Sequence, residues 1–97
     1  YDLDILSKDD DANEIIWLVI DVEGDPVSIN EVETMLLNES GYVQPDAEIT
    51  FQDANADELI NTGDTFTIIA PYDGYFIFML THKSTGATIF KSTSTHY

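Results

Sequence analysis

Two stretches, Ile15-Ile16-Trp17-Leu18-Val19-Ile20 and Tyr75-Phe76-Ile77-Phe78-Met79-Leu80, decide how this chain is read. Each is short, rich in β-branched and aromatic residues, and bounded by turn signals, which fits a strand better than a helix. Successive side chains of a strand point to opposite faces, so a strand that is apolar at every position has no polar face. In a two-layer fold one face turns to the core and the other to solvent. Both strands therefore need cover on a second side. Within the domain that cover would be the segment before residue 14, the polar loop 53–64 or a short helix. Otherwise it is another chain or an upstream helix. The expected assembly face is Ile15, Trp17 and Val19 together with Tyr75, Ile77 and Met79, or the complementary set.

The rest of the chain supplies partners for these strands. Residues 1–13 read as an acidic arm or edge strand, with Leu3, Ile5 and Leu6 as its apolar positions. Residues 14–97 read as the sandwich domain. Glu14 to Val22 is the first full strand, stopped by Gly24-Asp25-Pro26. Residues 32–38 read as a strand, with a helix behind a Ser28 cap as the competitor. Ala47 to Gln52 alternates Ala47/Ile49/Phe51 against Glu48/Thr50/Gln52, the pattern of a half-buried strand. Thr65 to Ala70 is followed by the turn Pro71-Tyr72-Asp73-Gly74. The strands after it, joined at Ser84-Thr85-Gly86, read as a hairpin. Turns at this spacing predict an all-β, antiparallel, immunoglobulin-like β-sandwich of six to seven strands. The expected core is Trp17 or its neighbours, Val19, Ile49, Phe51, Phe66, Ile68, Phe78, Leu80 and Ile89.

At 97 residues the chain is one domain with room for one two-layer core. It has no cysteine, which excludes disulfides, thiolate metal sites and a thiol nucleophile. Nineteen acids face three lysines, for a net charge of −16. Eighteen of those acids lie in residues 1–64 beside Lys8 alone, whereas residues 65–97 hold Asp73, Lys83 and Lys91. Nucleic acid requires a basic footprint and is excluded as a partner. Anionic membrane surfaces are disfavoured for the same reason. No stretch reaches the ~20 apolar residues of a membrane helix, so membrane contact is expected only through an upstream helix. The acids read as a solvated face, as adaptation to salt, or as a collector of divalent cations.

Candidate chemical sites are few. Asp53-x-Asn55-x-Asp57 with Asp64 resembles a calcium loop in its alternating oxygens, although Glu58 stands where the turn glycine belongs. Asp9-x-Asp11-x-Asn13 starts in the same way, without a closing acid. Calcium is thus the one cofactor considered, through Asp53, Asn55, Asp57 and Asp64. Asn38-Glu39-Ser40 is an N-glycosylation sequon. Trp17, Tyr42, Tyr72 and Tyr75 could form a sugar-stacking platform. His82 and His96 read as surface residues, and no serine is flanked as a nucleophile elbow requires.

Two segments carry a resemblance. Val22-Glu23-Gly24-Asp25-Pro26-Val27-Ser28-Ile29-Asn30-Glu31-Val32 is one. The other is Gly63-Asp64-Thr65, leading through Gly74-Tyr75 to Leu80-Thr81-His82-Lys83-Ser84-Thr85-Gly86-Ala87-Thr88-Ile89. Both resemble the soluble domains of archaeal type IV pilin-like proteins. The resemblance implies an exported, non-enzymatic cell-surface domain, carried on an N-terminal helix that builds a pilus or archaellum core. A close variant is an archaellum accessory β-sandwich protein between membrane and surface layer. The expected partners are then copies of itself or filament and surface-layer proteins. A ligand-binding surface module for carbohydrate or protein is the alternative. A domain of a larger intracellular or enzymatic protein is the third class.

Overall fold

The computed structural model describes residues 1–97 and contains eight strands. They are β1 (Asp2–Asp9), β2 (Glu14–Asp21), β3 (Val32–Asn38), β4 (Glu48–Gln52), β5 (Thr65–Ile69), β6 (Tyr75–His82), β7 (Thr88–Lys91) and β8 (Thr95–His96). Four of them form one antiparallel sheet in the order β1-β2-β5-β4. The second sheet runs β3-β6-β7, with β8 also paired to β6. Phe76 pairs with Asn38 on β3 and with Thr95 on β8, so β8 lies in line with β7 on the far flank of β6. Four strands ABED over three strands CFG is the constant-type immunoglobulin arrangement, and this chain adopts it. The count exceeds six to seven because residues 2–9 are paired with β2 along their length and because the two-residue β8 adds a strand.

The competition between strand and helix at residues 32–38 resolves locally. Ser28 does cap a helical turn, its Oγ accepting from the Asn30 amide at 3.2 Å. That turn is a single 3-10 turn, Ile29–Glu31. Beyond it Val32 to Asn38 pairs residue by residue with His82 to Phe76. Isolated helices this short are marginal, and seven residues of ladder with β6 win.

The core lies between the two sheets. Its largest fully buried side chains include Phe66, Phe76, Phe78, Ile15, Leu36 and Tyr97. In immunoglobulin domains a disulfide joins the second and sixth strands through the core. Here aromatic contact crosses the same gap: Trp17 on β2 meets Phe78 on β6 at a ring-centroid distance of 5.9 Å, and Phe66 meets Phe78 at 5.4 Å. Of the expected core, Trp17, Val19, Phe66, Ile68, Phe78 and Leu80 are buried, while Ile49, Phe51 and Ile89 are half-buried against its margin. Leu3, Ile15, Val32, Leu36, Ile60, Ala70, Phe76 and Tyr97 complete it.

β5 fixes which face of β2 is inside. Trp17 pairs with Phe66 and Ile15 with Ile68, whereas Ile16 pairs with Thr67 and Leu18 with Thr65. The threonines of β5 face out, so the odd-numbered residues of β2 face in. Gly63, at φ +98, lets the 53–64 loop turn back into this ladder, its amide donating to the Val19 carbonyl at 2.9 Å.

Candidate interaction surfaces

The expected assembly face divides between core and surface. Ile15, Trp17 and Val19 are all buried between the sheets and belong to the core. Tyr75, Ile77 and Met79 point outward from the second sheet, with Tyr75 53% exposed and the other two half-buried. The six residues do not share a face, because β2 and β6 lie in different sheets and each turns one side to the core. The complementary set separates in the same way. Ile16, Leu18 and Ile20 are on the outside of the first sheet, while Phe76, Phe78 and Leu80 are inside.

The two outer faces differ. On the first sheet the apolar stripe is one strand wide, bordered by Asp4 and Ser7 on β1 and by Thr65 and Thr67 on β5. On the second sheet it is two strands wide. Met35 lies opposite Met79 and Leu37 opposite Ile77, and Val43 bridges to Leu37 from outside the strand. Tyr75 extends the patch and rests edge-on against His96 at 5.0 Å. The strands of this sheet carry one acid, Glu33, and one lysine, Lys91, in a chain of net charge −16. The acids concentrate in the first sheet and in the loops, so the second sheet offers the apolar face with the least like-charge repulsion.

The 53–64 loop is organised by amides. Asp53 Oδ1 accepts from the Asn55 and Ala56 amides at 3.1 and 3.0 Å, and its Oδ2 from Glu58 at 2.7 Å. Asp57 accepts from the Leu59 amide and from Asn61 Nδ2 at 3.0 and 2.7 Å. Asp64 is fully buried and accepts from the Ala54 and Asn61 amides at 2.8 and 2.7 Å. Ala56 and Glu58 sit at φ 55 and 62, a left-handed conformation that side chains disfavour, and the Asp53 carboxylate holds both. Alternating oxygens suit a hard cation or a run of backbone donors equally well, and here every carboxylate oxygen of Asp53, Asp57 and Asp64 is on an N–H. Asp53, Asp57 and Asp64 of the expected calcium set thus organise the loop's own N–H groups, and no three acids or histidines gather into one cluster. Asp9 does the same in the β1–β2 turn, accepting from the Asp11 and Ala12 amides.

Two measurements follow from this distribution of charge. The melting temperature is expected to rise from low to moderate sodium chloride, as ions screen the acidic loops over ~8–10 Å. Calcium at matched ionic strength is expected to add nothing, because the carboxylates already serve the loop's own N–H groups and no three acids cluster to share an ion. A selective calcium gain would show that the carboxylates can let go.

The remaining candidates separate. Asn38 Oδ1 accepts from the Ser40 and Tyr42 amides, so the sequon asparagine also builds the turn after β3. Trp17, 5% exposed, leaves the aromatic platform, its Nε1 donating to the buried Tyr97 hydroxyl at 3.0 Å. Tyr42 and Tyr72 stay exposed and are linked by Gln44, which donates to the Tyr42 carbonyl and accepts from the Tyr72 hydroxyl. His82 contacts Ser84 Oγ at 2.9 Å and Glu31 at 3.6 Å on an exposed turn with no cavity beside it.

Sequence reasoning overlooked a cavity of about 270 Å³ between β1 and the β7–β8 edge. Its apolar wall is Leu3, Ile5, Trp17 and Phe90. The exposed Ile5-Leu6 pair in an edge strand was the one signal that could have pointed to it. The chain matches no protein-family model, no curated protein and no solved structure.

Proposed function

We propose that this chain is a non-enzymatic, extracellular cell-surface domain that works by assembly, in the manner of a pilin-like or archaellum-associated subunit. The outer face of β3 and β6 carries the reading. It presents the half-buried Met35, Ile77 and Met79 around a buried Leu37, with the exposed Val43 and Tyr75 at its margins, on the sheet least burdened by acids. A contiguous apolar patch on an otherwise charged surface marks a contact surface. Methionine pairs suit it, since unbranched side chains adapt to a partner's shape. The partner is a second copy of the chain or a filament or surface-layer protein, and the acidic remainder keeps the assembly soluble in salt.

Sedimentation equilibrium tests this directly. Self-association is expected at high concentration and is expected to strengthen with sodium chloride, since each copy brings a charge of −16. Met79→Lys should weaken association by at least roughly tenfold, as a charge would have to be buried in the contact, with little change in melting temperature. A chain that stays monomeric at millimolar concentration in high salt, or a variant that associates as well as the parent, would overturn this.

A ligand-binding surface module is the second reading. What favours it is the exposed Tyr42 and Tyr72 pair held by Gln44, a surface that a sugar ring or a partner loop could cover.

A further inference from the structure

β3 ends in a reversal built around one side chain. Asn38 donates its backbone amide to the Tyr42 carbonyl, and its carbonyl accepts from the Gly41 amide, each at 2.9 Å. Its side-chain Oδ1 accepts from the Ser40 and Tyr42 amides, both at 3.0 Å. Gly41, at φ +88, supplies the left-handed residue that lets the chain return. Both side-chain bonds thus fall on the oxygen of the Asn38 amide group. Its Nδ2 has no partner in the chain, and no buried side-chain nitrogen or oxygen lacks one, so Nδ2 reaches solvent. Residues Glu39 to Val43 are all exposed. Ser40 gives its backbone N–H to Asn38 and leaves its hydroxyl free. Among the five asparagines of the chain, Asn38 alone stands in an Asn-x-Ser/Thr triplet. The side-chain nitrogens of Asn30 and Asn61, by contrast, are committed to Glu58 and Asp57.

We propose that Asn38 is the acceptor site for an N-linked glycan in the folded chain. The donor is a sugar carried on a polyprenyl pyrophosphate. Nδ2 attacks the anomeric carbon, the bond from that carbon to the pyrophosphate oxygen breaks, and the pyrophosphate leaves with the electron pair. One Nδ2 proton passes to a base of the transferase. An amide nitrogen is a poor nucleophile, because its lone pair is shared with the carbonyl. Two N–H bonds on Oδ1 draw electrons toward the oxygen and make the Nδ2 protons easier to remove. The free Ser40 hydroxyl is the second group that the triplet presents to a transferase. A glycan is bulky and polar, and this turn has room for one. Asn38 lies opposite the inward-facing Phe76 at the end of its strand, whereas Leu37 lies opposite the outward-facing Ile77. The glycan therefore leaves from the end of the sandwich and does not cover Met35, Ile77 or Met79. Attachment in the cell requires export, so there the inference rests on the extracellular part of the reading above.

The test incubates the purified, folded 97-residue chain with a single-subunit oligosaccharyltransferase that requires only Asn-x-Ser/Thr, and with a polyprenyl-pyrophosphate oligosaccharide of known mass. Mass spectrometry is expected to find one glycan, on the peptide that holds Asn38. Asn38→Asp keeps an acceptor for the Ser40 and Tyr42 amides and removes only Nδ2. It should melt at the parent's temperature and take no glycan. Ser40→Ala keeps the backbone N–H that Asn38 accepts and removes the hydroxyl. It too should lose transfer, and it decides the matter if Asn38→Asp disturbs the turn. A folded parent chain that stays unmodified overturns the proposal, as does transfer that persists in either variant. The assay contains no export step. Its failure therefore leaves the extracellular reading standing, whereas a chain that accepts the glycan here and proves intracellular would sink that reading and leave the acceptor site intact.

Discussion

Tyr97→Ala is expected to lower stability by about 3–5 kcal/mol, the range for emptying a large aromatic site in a core. A domain of this size has about 5–15 kcal/mol in total, so the melting temperature should fall by roughly 10–25 °C. Tyr97 is fully buried among the core residues and packs edge-on against Phe76 at 5.8 Å. Its hydroxyl accepts from Trp17 Nε1, and its amide donates to the Gly74 carbonyl at 2.8 Å. One residue thus ties β2 to the turn before β6. Tyr97→Phe keeps the ring and removes the acceptor, which leaves a buried indole N–H without a partner at a cost of about 1–3 kcal/mol. Thermal melts of the two variants separate packing from hydrogen bonding, and a loss under ~1 kcal/mol for alanine would refute the closing role.

The same residue sets an alkaline limit. Burial pushes the Tyr97 hydroxyl up to about 12, while the hydrogen bond from Trp17 pulls the other way. The folded chain therefore favours the neutral phenol more than the unfolded chain does. That contribution is fully present below the ordinary tyrosine value of about 10 and is lost as pH rises to about 12. About 3 kcal/mol should disappear across this window, at ~1.4 kcal/mol for each unit. Tyr1, raised mainly by burial, changes in the same direction. Denaturant melts between pH 9 and 12 should show a steeper fall in the parent than in Tyr97→Phe.

Asp64→Ala is expected to cost about 2–4 kcal/mol, because it leaves the partly buried Ala54 and Asn61 amides without their acceptor and empties the buried Asp64 site. The loss should be local as well as global. Asp64 holds both ends of the 53–64 loop, and its backbone extends the β2–β5 ladder through Val19. Hydrogen exchange in residues 54–63 should rise more than exchange in β6. Asp64→Asn keeps the shape but turns an amide NH₂ toward one of the two donors, and should recover only part of the loss. A fully stable Asp64→Ala variant would mean that water replaces the carboxylate without cost.

Much of the fold was legible because turns and alternation are local properties. Gly24-Asp25-Pro26, Pro71-Tyr72-Asp73-Gly74 and Ser84-Thr85-Gly86 separate the strands, and Ala47–Gln52 shows its inner face by alternation alone. The missed core residues have clear causes. Leu3 lay in a stretch whose acids outweighed its apolar positions, and Tyr97 comes after the polar run Ser92-Thr93-Ser94-Thr95-His96, which sets no apolar period. Phe76 stood in a strand apolar throughout, where alternation carries no sign.

By itself the sequence determined the class of fold, the approximate place of most of its strands, the net charge of −16, and the existence of strands with two apolar faces. Tertiary pairing decided which face is which. Ile15, Trp17 and Val19 are as apolar as Ile16, Leu18 and Ile20, and only the register against Phe66 and Ile68 turns the first set inward. Pairing also assigned β2 and β6 to opposite sheets, which divided one expected patch into two and left the nearly uncharged one on β3 and β6. The 53–64 carboxylates were legible as alternating oxygens, and their chemistry followed from where the backbone placed its amides. Composition cannot encode that choice: a carboxylate binds whichever donor the fold brings within about 3 Å, and the fold brought N–H groups.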